Sequence, residues 1–126
     1  TGAARNIGLV MPELEGKIDG LSIRVPTFTV SLVDLVAELA IDVTEEEVNK
    51  AFLDAAQGAM MNYLGVSFEP LVSIDYKGST YSGVVDALST KVVGDKLVKV
   101  LTWYDNEWGY SQRALDLAAY IAAQGL

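Results

Sequence analysis

The apolar residues of this chain follow two rhythms, and together they lay out its elements. Leu21, Ile23 and Val25 alternate with Ser22 and Arg24, the period of a strand with one buried face. Pro26 ends or bends that strand. From Val30 to Ala40 a second strand is expected. Val33, Leu35, Ala37 and Leu39 line one face; Asp34 and Glu38 fall on the other. Asp34 there is best read as a cross-strand partner for a basic residue. Leu71 to Tyr76 reads as extended, with a turn at Lys77-Gly78-Ser79, and a further strand is expected from Gly83 through Thr90. Gly94-Asp95 makes a hairpin turn between Val92-Val93 and the run Leu97 to Tyr104, which is mostly apolar and β-prone and predicts a largely buried strand.

The other rhythm is helical. Ala3 to Leu9 suits a short helix. Glu45 to Gln57 carries the strongest local signals: Thr44 with Glu47 forms a capping box, and Val43 with Val48 fits a hydrophobic staple. Glu45, Glu46 and Glu47 suit the positive end of the helix dipole, so scaffold explains this acidic triplet without a metal. Val48, Ala51, Phe52 and Ala55 make its expected buried stripe, and Gly58 ends it. Met60 to Leu64 starts a further helical turn, with Gly65 as its stop. Ser111 to Gln124 is rich in Ala and Leu, with Ala114, Leu117, Ala118 and Ile121 on one face. Antiparallel strands with helices set on one side predict an α+β layer fold, its sheet antiparallel or mixed.

Composition narrows the classes. The 126 residues suit one domain, and a length of this order buries roughly two-thirds of its unfolded surface. With 51% hydrophobic residues the chain is not intrinsically disordered. The net charge of −8, with scattered basic residues, disfavours a nucleic-acid partner. No apolar run reaches the ~20 residues that span a bilayer, and no basic-then-apolar leader is seen, so a cytoplasmic protein without a membrane partner is expected. Cysteine and histidine are both absent, which removes disulfides, thiolate or imidazole metal ligands and Cys–His or Ser–His pairs from this chain. No EF-hand, Walker or GxGxxG pattern occurs, and no metal site is expected.

Several residues have chemistry available. The Thr1 hydroxyl and the Gly2 N–H can cradle an anion ahead of a helix, or simply cap it. Arg24 can clamp a phosphate through its guanidinium donors, or be solvated or paired with a carboxylate. Asp105 and Asn106 stand at a strand-to-helix junction, where short side-chain acceptors cap free N–H groups. A carboxamide at Asn106, with Trp108 and Tyr110 a few residues on, can also meet a flat polar ring.

The nonapeptide Trp103-Tyr104-Asp105-Asn106-Glu107-Trp108-Gly109-Tyr110-Ser111 resembles the signature before the C-terminal helix of the phosphorylating glyceraldehyde-3-phosphate dehydrogenases. Five more stretches resemble that family in order: Thr1-Gly2-Ala3-Ala4, Pro12-Glu13-Leu14 with Gly16-Lys17, Arg24 to Thr27 followed by Val30-Ser31 and Val33 to Leu35, Glu69 to Ser73, and Val85 to Thr90. Phe28 and Thr29 depart from the Pro-Asn usual in the family. The resemblance covers the whole chain and implies the C-terminal portion of the catalytic domain, residues 1–126, closed by a helix at 107–124.

The resemblance also implies roles. Thr1 and Gly2 match the site of inorganic phosphate, and Arg24 matches the arginine that holds phosphate groups of substrate and attacking anion. Asn106 matches the residue that hydrogen-bonds the nicotinamide amide, and Tyr110 the aromatic beside that ring. The cofactor is then NAD, with NADP not excluded, and the substrate a phosphorylated aldehyde. Oligomerisation as a homotetramer is implied too. The family's catalytic cysteine and histidine, and its dinucleotide-binding domain, precede the matched segment. No catalytic residue is therefore expected in this chain, and the remaining segments of the enzyme are its partners. The alternative is a non-catalytic, self-associating interaction module of the same fold, since the face at Ala114, Leu117 and Ile121 needs a cover.

Overall fold

The computed structural model describes residues 2–125, and the side chains of residues 6–125. Its regular elements are α1 (Gly2–Val10), β1 (Ser31–Glu38), α2 (Glu45–Gln57), β2 (Leu64–Ser67), β3 (Gly83–Asp86), β4 (Lys91–Val93), β5 (Leu97–Tyr104) and α3 (Trp108–Ala123). Short 3-10 turns occupy Pro12–Leu14, Ser73–Tyr76 and Ala87–Ser89. This is an α+β fold around a mixed sheet.

β5 is the strand the others assemble on. β1 runs antiparallel along its full length, from Ser31 opposite Tyr104 to Glu38 opposite Leu97. On its other edge β4 pairs the first half, Val92 opposite Val98, and β3 the second, Val84 opposite Trp103. β2 then adds parallel to β3. A turn with positive φ at Gly94 (59°) and Asp95 (65°) links β4 to β5, as the sequence predicts. Asp34 on β1 does meet a basic residue across the sheet: Lys99 Nζ lies 2.6 Å from its carboxylate.

α2 covers one face. Its capping box forms as expected, with the Glu47 N–H donating to Thr44 Oγ1 and the Thr44 N–H donating to Glu47 Oε2. Val48 packs with Val85, Val98 and Val100, flanked by Leu39, Val43 and Phe52. α2 is further tied down by Asn49, whose Nδ2 donates to Ala87 O at 2.9 Å and whose Oδ1 accepts from the buried Thr90 hydroxyl at 2.7 Å. The expected stripe is only partly buried: Ala51 is exposed, and Phe52 and Ala55 are half-buried. An apolar groove of about 710 Å³ stays open between α2 and the sheet, lined by residues such as Leu35, Ala37, Ala51 and Phe52. The opposite face carries a second cluster, Val30, Tyr76 and Val84 with Leu71 and Trp103. There the Tyr76 and Trp103 rings stack with centroids 5.7 Å apart.

Four expectations are corrected. Leu21 to Val25 is not a strand: no strand among the described residues pairs with it, and Leu21 (78%), Ile23 (78%) and Val25 (63%) are exposed. Alternation supplies a face, but a strand also needs a ladder of hydrogen bonds. Leu71 to Tyr76 is not extended throughout, because Asp75 turns back to accept the Val72 N–H at 2.8 Å and Ser73–Tyr76 coils. The strand at Gly83 stops at Asp86, where the 3-10 turn takes over. Gly65 does not end a helix; it is buried within β2, where a Cβ would press on the Tyr81 ring at 3.2 Å and on Val84.

Candidate functional site

The junction between β5 and α3 is built around Asp105. The strand delivers it into the interior, where it is 4% exposed. One carboxylate oxygen accepts the N–H groups of Glu107 (3.0 Å) and Trp108 (2.9 Å), closing a tight turn around Asn106. The other accepts the N–H of Gly78 at 2.8 Å, from the turn between the Ser73–Tyr76 coil and β3. Gly78 takes φ 79°, a conformation that favours glycine. The carboxyl is held below its ordinary value, first by the Trp108 N–H and then by that of Gly78; burial opposes this, while the Glu107 N–H and the nearby Lys77 charge reinforce it. An ionised Asp105 thus caps α3 and pins it to a second segment.

α3 is anchored by its first turns. Gly109 lies against the backbone before β3, where a Cβ would sit 3.0 Å from Tyr81 O. Arg113 donates from Nη1 to Ser82 Oγ at 2.9 Å and from Nε to Asp116 at 2.8 Å. Its guanidinium also lies over the Tyr63 ring, 4.8 Å from the centroid. Beyond these turns the helix leaves the body: Leu115, Leu117, Tyr120 and Ile121 are all exposed.

Asn106 sits exposed at the head of this junction, its Oδ1 3.5 Å from the Ser31 hydroxyl at the start of β1. Tyr110 follows one helical turn later and is 76% exposed. The junction therefore exposes both a carboxamide and an aromatic ring to solvent, above the hydrogen-bonded Asp105 turn. Arg24 is also exposed, but in the irregular chain between residues 18 and 30. Hydrogen bonds in and around that chain include Lys17 N–H to Leu14 O and Thr27 N–H to Val25 O. Thr1, expected in the anion site, lies outside the described residues, and Gly2 opens α1. Asn106 and Tyr110 thus stand within four residues of each other at one short turn.

The sequence reading gave Asp105 a cap and no more. Its bond to Gly78, 27 residues away, has no local signal. Nor does the contact of Ser31 with Asn106 across 75 residues. Only the antiparallel pairing of β1 with β5 creates that contact.

Among the described residues no group of acidic side chains is placed to hold a metal, and no helix is long and apolar enough to cross a membrane.

A family model described as glyceraldehyde 3-phosphate dehydrogenase, C-terminal domain, matches residues 1–106. The chain is 60% identical over 126 residues to glyceraldehyde-3-phosphate dehydrogenase of Geobacillus stearothermophilus, and 60% identical to glyceraldehyde-3-phosphate dehydrogenase 1 of Bacillus cereus. It is 51% identical over 122 residues to a chloroplastic glyceraldehyde-3-phosphate dehydrogenase of Arabidopsis thaliana, covering 97% of this chain and 31% of that protein. All of this chain aligns with the two bacterial proteins, and it spans 38% of each. The α+β fold, the β5–α3 junction and these likenesses lead to one conclusion: the chain belongs to the glyceraldehyde-3-phosphate dehydrogenase family, as its C-terminal domain.

Proposed function

We propose that these residues form part of an NAD(P)-dependent oxidoreductase that converts glyceraldehyde 3-phosphate and inorganic phosphate to 1,3-bisphosphoglycerate. In that reading the segment supplies nicotinamide and phosphate contacts, while the reactive thiol and imidazole come from other parts of the enzyme. The observation that carries it is the β5–α3 junction, where Asn106 and Tyr110 stand exposed on a base fixed by Asp105. A carboxamide both donates and accepts hydrogen bonds, so it matches the amide of a nicotinamide, and an adjacent phenol packs on the ring. Arg24 serves phosphate groups with Thr1 and Gly2: it is exposed and its guanidinium matches their oxygens in geometry and charge. The enzyme works in the cytoplasm as a homotetramer.

The test is made in the full-length enzyme carrying this segment. Asn106→Ala is expected to weaken NAD binding, read by titrating cofactor against protein fluorescence. An unchanged NAD affinity, with only the stability loss of about 1 kcal/mol typical of a cap, overturns the cofactor role. Arg24→Ala is expected to cost about 1.5–3 kcal/mol in use of phosphate and phosphorylated aldehyde, the loss of a hydrogen bond to a charged group. Unchanged kinetics with both anions removes Arg24 from the site.

A second reading has one observation in its favour. The outer half of α3 presents Leu115, Leu117, Tyr120 and Ile121 uncovered. A self-associating, non-catalytic module of the same fold would bury them between copies.

A further inference from the structure

The inference concerns a carboxylate that is both buried and held by backbone N–H groups. Asp105 is 4% exposed, and its oxygens accept three N–H groups from two chain segments, at Gly78, Glu107 and Trp108. Buried to this degree, it is not placed to touch a ligand. Yet Asn106 is the residue enclosed by its turn, and Tyr110 lies one helical turn beyond. The Gly109 N–H, between them, donates to Asp105 O at 2.9 Å. The close approach of Gly109 to Tyr81 O leaves α3 little room to slide on this anchor. A shift of the carboxylate therefore moves the carboxamide and the phenol together.

We propose that Asp105 is a positioning residue for the nicotinamide: it locks the turn at Gly78 to the head of α3 and so fixes where Asn106 and Tyr110 meet the ring. This rests on the reading of those two residues as cofactor contacts. The bridge joins segments 27 residues apart, which a helix cap alone does not require. Capping explains the bonds to Glu107 and Trp108; it leaves the bond to Gly78 unexplained. Two charge-assisted anchors on different segments hold a geometry that one would leave free to pivot.

The experiment compares Asn106→Ala and Asp105→Asn in the full-length holoenzyme, well below the melting temperature of each. Asp105→Asn keeps an acceptor oxygen but replaces the second with a donor that cannot serve the Gly78 N–H. It is expected to raise KM for NAD on the order of tenfold while leaving KM for inorganic phosphate unchanged, the loss of one charge-assisted bond read as affinity. A purely structural role lowers the melting temperature without separating the two KM values. If Asn106→Ala raises KM for NAD and Asp105→Asn does not, the positioning role fails and the cofactor reading stands. If Asn106→Ala has no effect on NAD, the cofactor reading fails and takes this inference with it. Should Asp105→Asn not fold, amide hydrogen exchange of the unmutated enzyme decides. NAD is expected to slow exchange at Gly78 together with Glu107 and Trp108, and an indifferent Gly78 overturns the bridge.

Discussion

Asp105 illustrates how much one side chain decides here. Its folded-state carboxyl titrates below the ordinary value, so it contributes stability that is complete above the ordinary carboxylate range near about pH 4 and is lost as the solution is acidified toward the folded value. Asp105→Asn is therefore expected to flatten the pH dependence of stability below about pH 4. Urea midpoints at neutral pH and at about pH 3 measure it; an unchanged acid slope would remove Asp105 as a source of the dependence. Thr90 is the second residue with a specific expectation. Its hydroxyl is buried and donates to Asn49 Oδ1, so Thr90→Val leaves that oxygen unpaired beneath α2. A loss of about 1–3 kcal/mol is expected in denaturant unfolding, the cost of an unsatisfied polar group. Neither Thr90 nor Asn49 announces itself in the sequence, since their bond spans 41 residues.

Among the elements, α2 and α3 differ in what holds them. α2 was legible because its determinants are local: Thr44, Glu47 and the acidic first turn act within one helical turn, and the observed helix starts at Glu45 and ends at Gln57 as expected. Thr44→Ala is expected to cost about 1 kcal/mol, read from the shift in unfolding midpoint. α3 was legible as a helix, but its seating was not. A Cβ at Gly109 would sit 3.0 Å from Tyr81 O, so Gly109→Ala needs the Tyr81 backbone to give by a few tenths of an ångström, and a loss of about 1–3 kcal/mol is expected from overpacking. An Ala variant as stable as the parent would show that α3 is free to rise off β3. Leu21 to Val25 shows the converse. Its alternation is a sound strand signal, yet among the described residues no neighbouring strand completes it, so it stays irregular and exposed.

At the scale of the molecule, much apolar surface is uncovered. Leu21, Ile23, Phe28, Leu115 and Leu117 are all more than half exposed, and the groove beside α2 is apolar. Patches of this kind mark contact surfaces. The isolated 126 residues are expected to associate at micromolar concentration; a well-behaved monomer in sedimentation would contradict this. They are also expected to form no NADH from glyceraldehyde 3-phosphate, because no cysteine or histidine is present to do the chemistry. NADH absorbance above background with the purified chain would overturn that expectation.

By itself the sequence determined what depends on neighbours a few residues apart: the boundaries of α2 and β5, the hairpin at Gly94-Asp95 and the resemblance to its family. It also proposed Asp34 for a basic partner, because alternation fixes which face a strand residue takes. Which lysine that is, the covering of Thr90, the bond from Asp105 to Gly78 and the nearness of Ser31 to Asn106 were decided by the tertiary structure alone. Those contacts exist only once β5 has collected β1, β3 and β4 along its edges, and no pattern within a single segment encodes where another segment will lie.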